Sequence, residues 1–146
     1  MLRNRTARWW AVVLGALTLV IVGVGVWLVS TSEAAGVPDE FTNRPSLPDC
    51  GRADVTAGPP DADGTEAIDC FDAALADGDG AELVVVHSTA EGDPVTEYFR
   101  ALPDGGGVEI FSDNRQDAFR GVDWHHTSCP EARSYLELGD CGYRDL

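Results

Sequence analysis

The chain contains no lysine. Its ten basic residues are all arginine and face 25 acidic ones, for a formal net charge of −15. A surface this acidic repels nucleic acid and anionic lipid head groups, which argues against a nucleic-acid-binding role. It attracts cations or a basic protein partner. Common enzyme signatures are also missing. There is no G-x-S-x-G, no Walker loop, no H-E-x-x-H and no G-x-G-x-x-G after a strand. No C-x-x-C pair accompanies His125, His126 and Cys129, so zinc ligation lacks its usual spacing. The residues call for no cofactor, and the expectation is a non-enzymatic protein. Aromatic residues make up 8% of the 146 positions, which limits the core to that of one small domain.

What is present begins with a long apolar run. Residues 9 to 30, WWAVVLGALTLVIVGVGVWLVS, are 22 positions without a charge. As a helix they span ~33 Å, the thickness of a bilayer core. Trp9, Trp10 and Trp27 lie near the ends of the run, where indole rings favour the head-group layer. Arg3, Arg5 and Arg8 precede it within a basic segment, 1–8, and an acidic stretch follows. The positive-inside rule then leaves the N-terminus in the cytoplasm. The expectation is a single-pass cell-membrane protein with its C-terminal domain outside. The rival is a signal peptide cleaved near Ala34-Ala35-Gly36, which would release a secreted protein. The run exceeds the ~7–15 residues of a signal core, which favours a retained anchor.

All four cysteines, Cys50, Cys70, Cys129 and Cys141, lie after this segment. In an oxidising compartment an even count reads as two disulfides, and three pairings are possible. The sequence-local pairing, Cys50–Cys70 with Cys129–Cys141, is preferred. Each such loop would contribute ~3 kcal/mol when closed. Residues 31–63 are rich in Pro, Gly, Asp, Ser and Thr without apolar periodicity. They read as a flexible tether pinned at Cys50.

The exported domain is expected over 64–146. Ala67, Ile68, Phe71, Ala74 and Leu75 form a helical stripe, with Asp63 and Glu66 as a capping box and Gly78 as the stop. Three strand-like runs follow at 81–89, 94–102 and 107–112, joined by turn-rich segments. Ser128 to Glu131 has capping-box spacing for a helical turn, and 134–138 alternates as a fourth strand would. The fold expected is α+β: one helix packed on a three- to four-stranded antiparallel meander, preceded by a single transmembrane helix and a flexible tether.

The first turn of this meander, Glu91-Gly92-Asp93-Pro94, has a structural explanation in Gly92 and Pro94. Neither residue requires carboxylates beside it. The meander brings this turn to the end of the sheet that also holds Asp113 and Asp117 of DNRQD. Glu91, Asp93, Asp113 and Asp117 are therefore a candidate ligand or cation site, and calcium is the hard cation such oxygens suit. Like charges there need an offset from backbone N–H groups, an arginine such as Arg115, or a cation. EF-hand alignments of DADG and DGDG fail, because position 1 falls on Pro59 or Leu75. His87 shares a face with Leu83 and Val85 and reads as a packed residue. A hydrolase with an unrecognised site around His87, His125 or His126 is a further alternative.

The residues Thr89, Glu91, Gly92, Asp93 and Pro94, then Asp113, Asn114, Asp117 and Phe119, then a late cysteine pair, form an ordered pattern. It resembles a family of small bacterial surface lipoproteins of unknown function, over roughly 65 to 141. Two departures stand out. Arg120 occupies the position of the family's glycine, with Gly121 next, and the lipid-modified cysteine is absent. The resemblance implies that Cys129 and Cys141 are the terminal pair, leaving Cys50 and Cys70 as the second. It implies no activity. These readings converge on a membrane-tethered extracytoplasmic binding module, with a calcium-responsive accessory or sensor as the alternative.

Overall fold

A computed structural model describes residues 36–146. The basic segment 1–8 and the expected membrane helix 9–30 lie outside the described residues. Among the described residues no helix is long and apolar enough to cross a membrane.

The unit Pro38–Leu146 is built on one six-stranded sheet. In chain order it contains α1 (Asp39–Thr42), β1 (Asp49–Asp54), α2 (Ala62–Asp77), β2 (Ala81–Ser88), β3 (Pro94–Ala101), β4 (Val108–Asp113), β5 (Trp124–Cys129) and β6 (Gly142–Asp145). The strands lie side by side in the order of the chain. β1 and β2 are parallel, and every other neighbouring pair is antiparallel. The expected α+β fold, with its three- to four-stranded antiparallel meander, is therefore corrected to a mostly β, six-stranded mixed sheet with two helices.

Three local differences produce the correction. First, the segment expected to be a flexible tether enters the sheet as β1. A parallel pair needs a crossover connection, and α2 supplies it. The Cys50–Cys70 bridge ties β1 to that helix. Ala53 is fully buried, and Gly64 lets the helix approach, since a Cβ there would stand 3.3 Å from the Ala53 Cα. Secondly, the helical turn expected at Ser128 to Glu131 is replaced by the end of β5, which runs through Cys129. Thirdly, 134–138 is not a strand. It lies in the loop closed by Cys129–Cys141, with the Tyr135 N–H donating to Asp72 Oδ1 at 2.6 Å. Tyr135 and Leu138 pack on the core while Leu136 between them is exposed, a spacing of three rather than the two of a strand. The chain then returns as β6, with Gly142 opposite Ser128.

The helix stripe lands where its spacing places it. Ala67, Phe71 and Leu75 bury against Leu83, Val85, Phe99 and Ile110 on one face of the sheet, and each large side chain so enclosed contributes ~1.5–3 kcal/mol. The N-cap is Asp61 rather than Asp63, its carboxylate accepting from the Gly64 N–H at 2.9 Å. Gly78 ends the helix in the left-handed region at φ 75°.

The opposite face is covered by residues 38–48. Phe41 packs edge-on against Tyr98 at 4.6 Å and Phe111 at 5.5 Å, and tilted against Trp124 at 4.7 Å. Side chains alternate along each strand, so this face collects Glu82, Tyr98, Arg100, Glu109, Phe111, Trp124, His126 and Arg144 from three register-matched rows.

Candidate functional site

The acidic end of the sheet consists of the β2–β3 turn and the loop between β4 and β5. Gly92 adopts φ 94°, and the turn closes with the Thr89 N–H donating to the Asp93 carbonyl at 2.8 Å. The Asp93 side chain reaches across to the loop and accepts from the Ala118 N–H at 2.9 Å. Asp117 accepts from the Phe119 N–H at 2.8 Å. Asp113 holds Arg115 by both oxygens, at 2.9 and 2.7 Å, and accepts its backbone N–H at 3.1 Å. Burial opposes ionisation of Asp113, but the hydrogen bonds and charge of Arg115 outweigh it and hold the carboxyl below its ordinary value. Glu91 stands exposed at the tip of the turn.

The turn and loop thus meet through Asp93, while Asp113 and Asp117 are engaged within the loop itself. Backbone donors and an arginine occupy these carboxylates. Among the described residues no group of three or more His, Cys, Asp or Glu is arranged to hold a metal ion.

The three histidines occupy two faces. His87 Nε2 lies 3.6 Å from Glu97 Oε2, and Ser112 Oγ donates to Glu97 Oε1 at 3.2 Å. The order is hydroxyl, carboxylate, imidazole. A nucleophile needs the imidazole next to the hydroxyl, so this row does not activate Ser112. His125 shares its Nδ1 between Asp145, at 3.2 Å, and the Tyr143 hydroxyl. His126 points to the other face, its Nε2 3.1 Å from Glu109 Oε2.

On that face an ionic row runs across three strands. Glu82, Arg100 and Glu109 are direct register partners on β2, β3 and β4. Arg100 is 2% exposed. Its Nε meets Glu82 Oε2 at 3.0 Å, one terminal nitrogen meets Glu109, and the other donates to the Pro45 carbonyl. Arg44 completes the row with a bidentate pair to Glu82, 3.0 Å on both arms. Its guanidinium lies 3.7 Å over the Phe41 ring and donates to the Phe41 carbonyl. Removing one partner from such a row strands a buried charge, at a cost of ~3–5 kcal/mol.

Where residues 38–48 arch over β3, β4 and β5, a cleft of ≈ 330 Å³ remains. Arg44, Arg100, His126, Arg144, Glu40, Glu109 and Asn43 supply its polar wall, and Phe111 an apolar patch. A second cleft, ≈ 300 Å³, adjoins it through His126 and Arg144. The domain beyond residue 36 has only seven arginines against 24 acidic residues, yet three of the seven line this one cleft. Arg144, on β6, sits directly across from His126 and pairs with Glu40 of α1.

Sequence reasoning missed this cleft because its roof was read as tether and β6 was not recognised. A signal did exist in strands two to four. Glu82, Arg100 and Glu109 stand at positions that an antiparallel meander places side by side. The chain matches no family model, no curated protein and no solved structure, so its likeness to surface lipoproteins rests on the short motifs alone.

Proposed function

We propose that the chain is a membrane-tethered extracytoplasmic binding module, without enzymatic activity, whose ligand enters the arginine-lined cleft. Residues 9–30 hold it in the membrane, and the domain faces outward as in the lipoproteins its motifs resemble. The observation that carries this reading is the gathering of Arg44, Arg100, Arg144 and His126 around one cleft in an otherwise acidic domain. Concave sites with a few convergent polar groups and an apolar patch are the usual form of a ligand site. The acidic remainder of the surface serves solubility and steers a basic protein partner toward the domain.

The test uses the full chain in detergent micelles, labelled for NMR. Small organic acids, phosphates, sugars, amines and short peptides are titrated in turn. At least one should shift the resonances of Phe111, His126 and Arg144 together. Binding confined to the acidic turn end, or no binding by any compound, overturns the cleft as the site.

A further inference from the structure

The cleft's two sets of ion pairs differ in how easily they open. Arg44 and Arg100 have each guanidinium nitrogen engaged, to Glu82, Glu109 and the carbonyls of Phe41 and Pro45. Opening that row leaves charges stranded under the roof. Arg144 is different. Among the described residues only its Nη2 is engaged, to Glu40. Both side chains of this pair are about half exposed, at 49% and 56%. An exposed pair exchanges readily with solvent and is screened by salt.

Glu40 also marks where an anion is favoured. It comes from α1 in the roof and reaches β6, 104 residues later in the chain, at the rim of the cleft. Arg144 and His126 are cross-strand partners on this face, so the Glu40 carboxylate lies in the field of both. The hydrogen bond from Arg144 is the main reason its carboxyl stays below the ordinary range.

We infer that Arg144, with His126 beside it, is the carboxylate-binding point of the cleft, and that Glu40 is an internal stand-in displaced by a carboxylate-bearing ligand. The inference rests on the cleft being the ligand site. A guanidinium fork matches a carboxylate in two parallel hydrogen bonds, and most of the Arg144 donors remain available for it. The cleft volume corresponds to about ten waters, room for a small organic acid or the end of a peptide. The ligand's acid group takes the place of Glu40, and its apolar portion rests on Phe111.

Succinate, its neutral diamide and inorganic phosphate serve as probes for the full chain in micelles, with calorimetry for affinity and His126 resonances for location. An internal competitor reduces apparent affinity by the fraction of time it occupies the site. Glu40→Gln should therefore bind succinate about three- to tenfold more tightly than the wild type. Arg144→Gln should lose at least about tenfold, the scale of a charge-assisted hydrogen bond. The diamide should not bind. Both substitutions are at exposed side chains, and unchanged melting temperatures confirm that the variants fold. Equal succinate affinity in wild type and Glu40→Gln overturns the stand-in role. Undiminished binding by Arg144→Gln overturns the anchor. Phosphate binding with the Glu40→Gln gain, when succinate shows none, overturns the carboxylate class. If another compound maps to the cleft while succinate does not, the binding module stands and this inference falls. If nothing maps there, both fall.

Discussion

Asp113 shows how a side chain picked out for a ligand can be satisfied by its own loop. Arg115, two residues on, gives it two side-chain hydrogen bonds and one from the backbone. Its folded carboxyl is held below the ordinary value, so the stability it adds is present above the unfolded-state value of about 3.9 and fades as pH falls through the folded value. Asp113→Asn should therefore cost roughly 0.5–1 kcal/mol at neutral pH, a modest figure because Arg115 is partly solvated. In urea melts the gap between wild type and variant should close as pH falls below the ordinary aspartate range and through the lowered folded value. A gap that persists in acid would show that the carboxylate charge is not the source. The acidity of the turn end was legible in the sequence. Arg115, among the offsets expected from the sequence, is the donor at Asp113, but the donor at Asp93 was not legible, because Ala118 lies 25 residues away.

At the scale of elements, the segment 38–48 matters most, because it forms the roof of the cleft. Phe41 holds it down through three aromatic contacts, and Arg44 stacks on the same ring. Phe41 is only partly buried, so Phe41→Ala should cost about 1–3 kcal/mol, less than the 3–5 of a fully enclosed Phe. The loss should also be local. Hydrogen exchange should speed up at the Thr42 and Asn43 amides, whose partners are the Pro38 and Asp39 carbonyls, while the core amides of β3 stay protected relative to them. Uniform acceleration across the sheet would mean that the roof is not a separate lid-like unit. The Pro-rich composition of this stretch hid its packing. One aromatic and one arginine, three residues apart, carry it.

For the whole molecule, the described domain and the N-terminal sequence meet in one expectation about placement. On the proposed membrane-tethered reading, Arg3, Arg5 and Arg8 ahead of an uncharged 22-residue run would leave residues 37–146 outside the cell. Protease added to intact cells should remove the domain while the N-terminal segment stays with the membrane. Full protection would reverse the orientation. A mature N-terminus near Ala35 would mean cleavage and release. The two disulfides suit that exterior, since such bridges persist in oxidising surroundings and compensate for a small core. A domain carrying seven arginines and 24 acidic residues also repels copies of itself, which favours solubility.

The sequence alone determined the elements whose signals are local. The stripe of Ala67, Phe71 and Leu75 specifies a helix face, and Gly78 its end. Strand-like apolar runs bounded by turn residues specify β2 to β4, and Gly92 with Pro94 specifies the turn between the first two. Short loops made the pairings Cys50–Cys70 and Cys129–Cys141 the economical choice, and both bridges are present. The tertiary structure decided β1, β5 and β6. DCGRAD and GYRD lack the β-branched residues that would announce a strand, so neighbours, a bridge and a crossover helix settle their conformation. It also decided the cleft. Glu40, Arg44, Arg100, His126 and Arg144 are scattered over more than 100 positions. Only sheet order and register bring them together, and no local sequence preference encodes a contact between such distant residues.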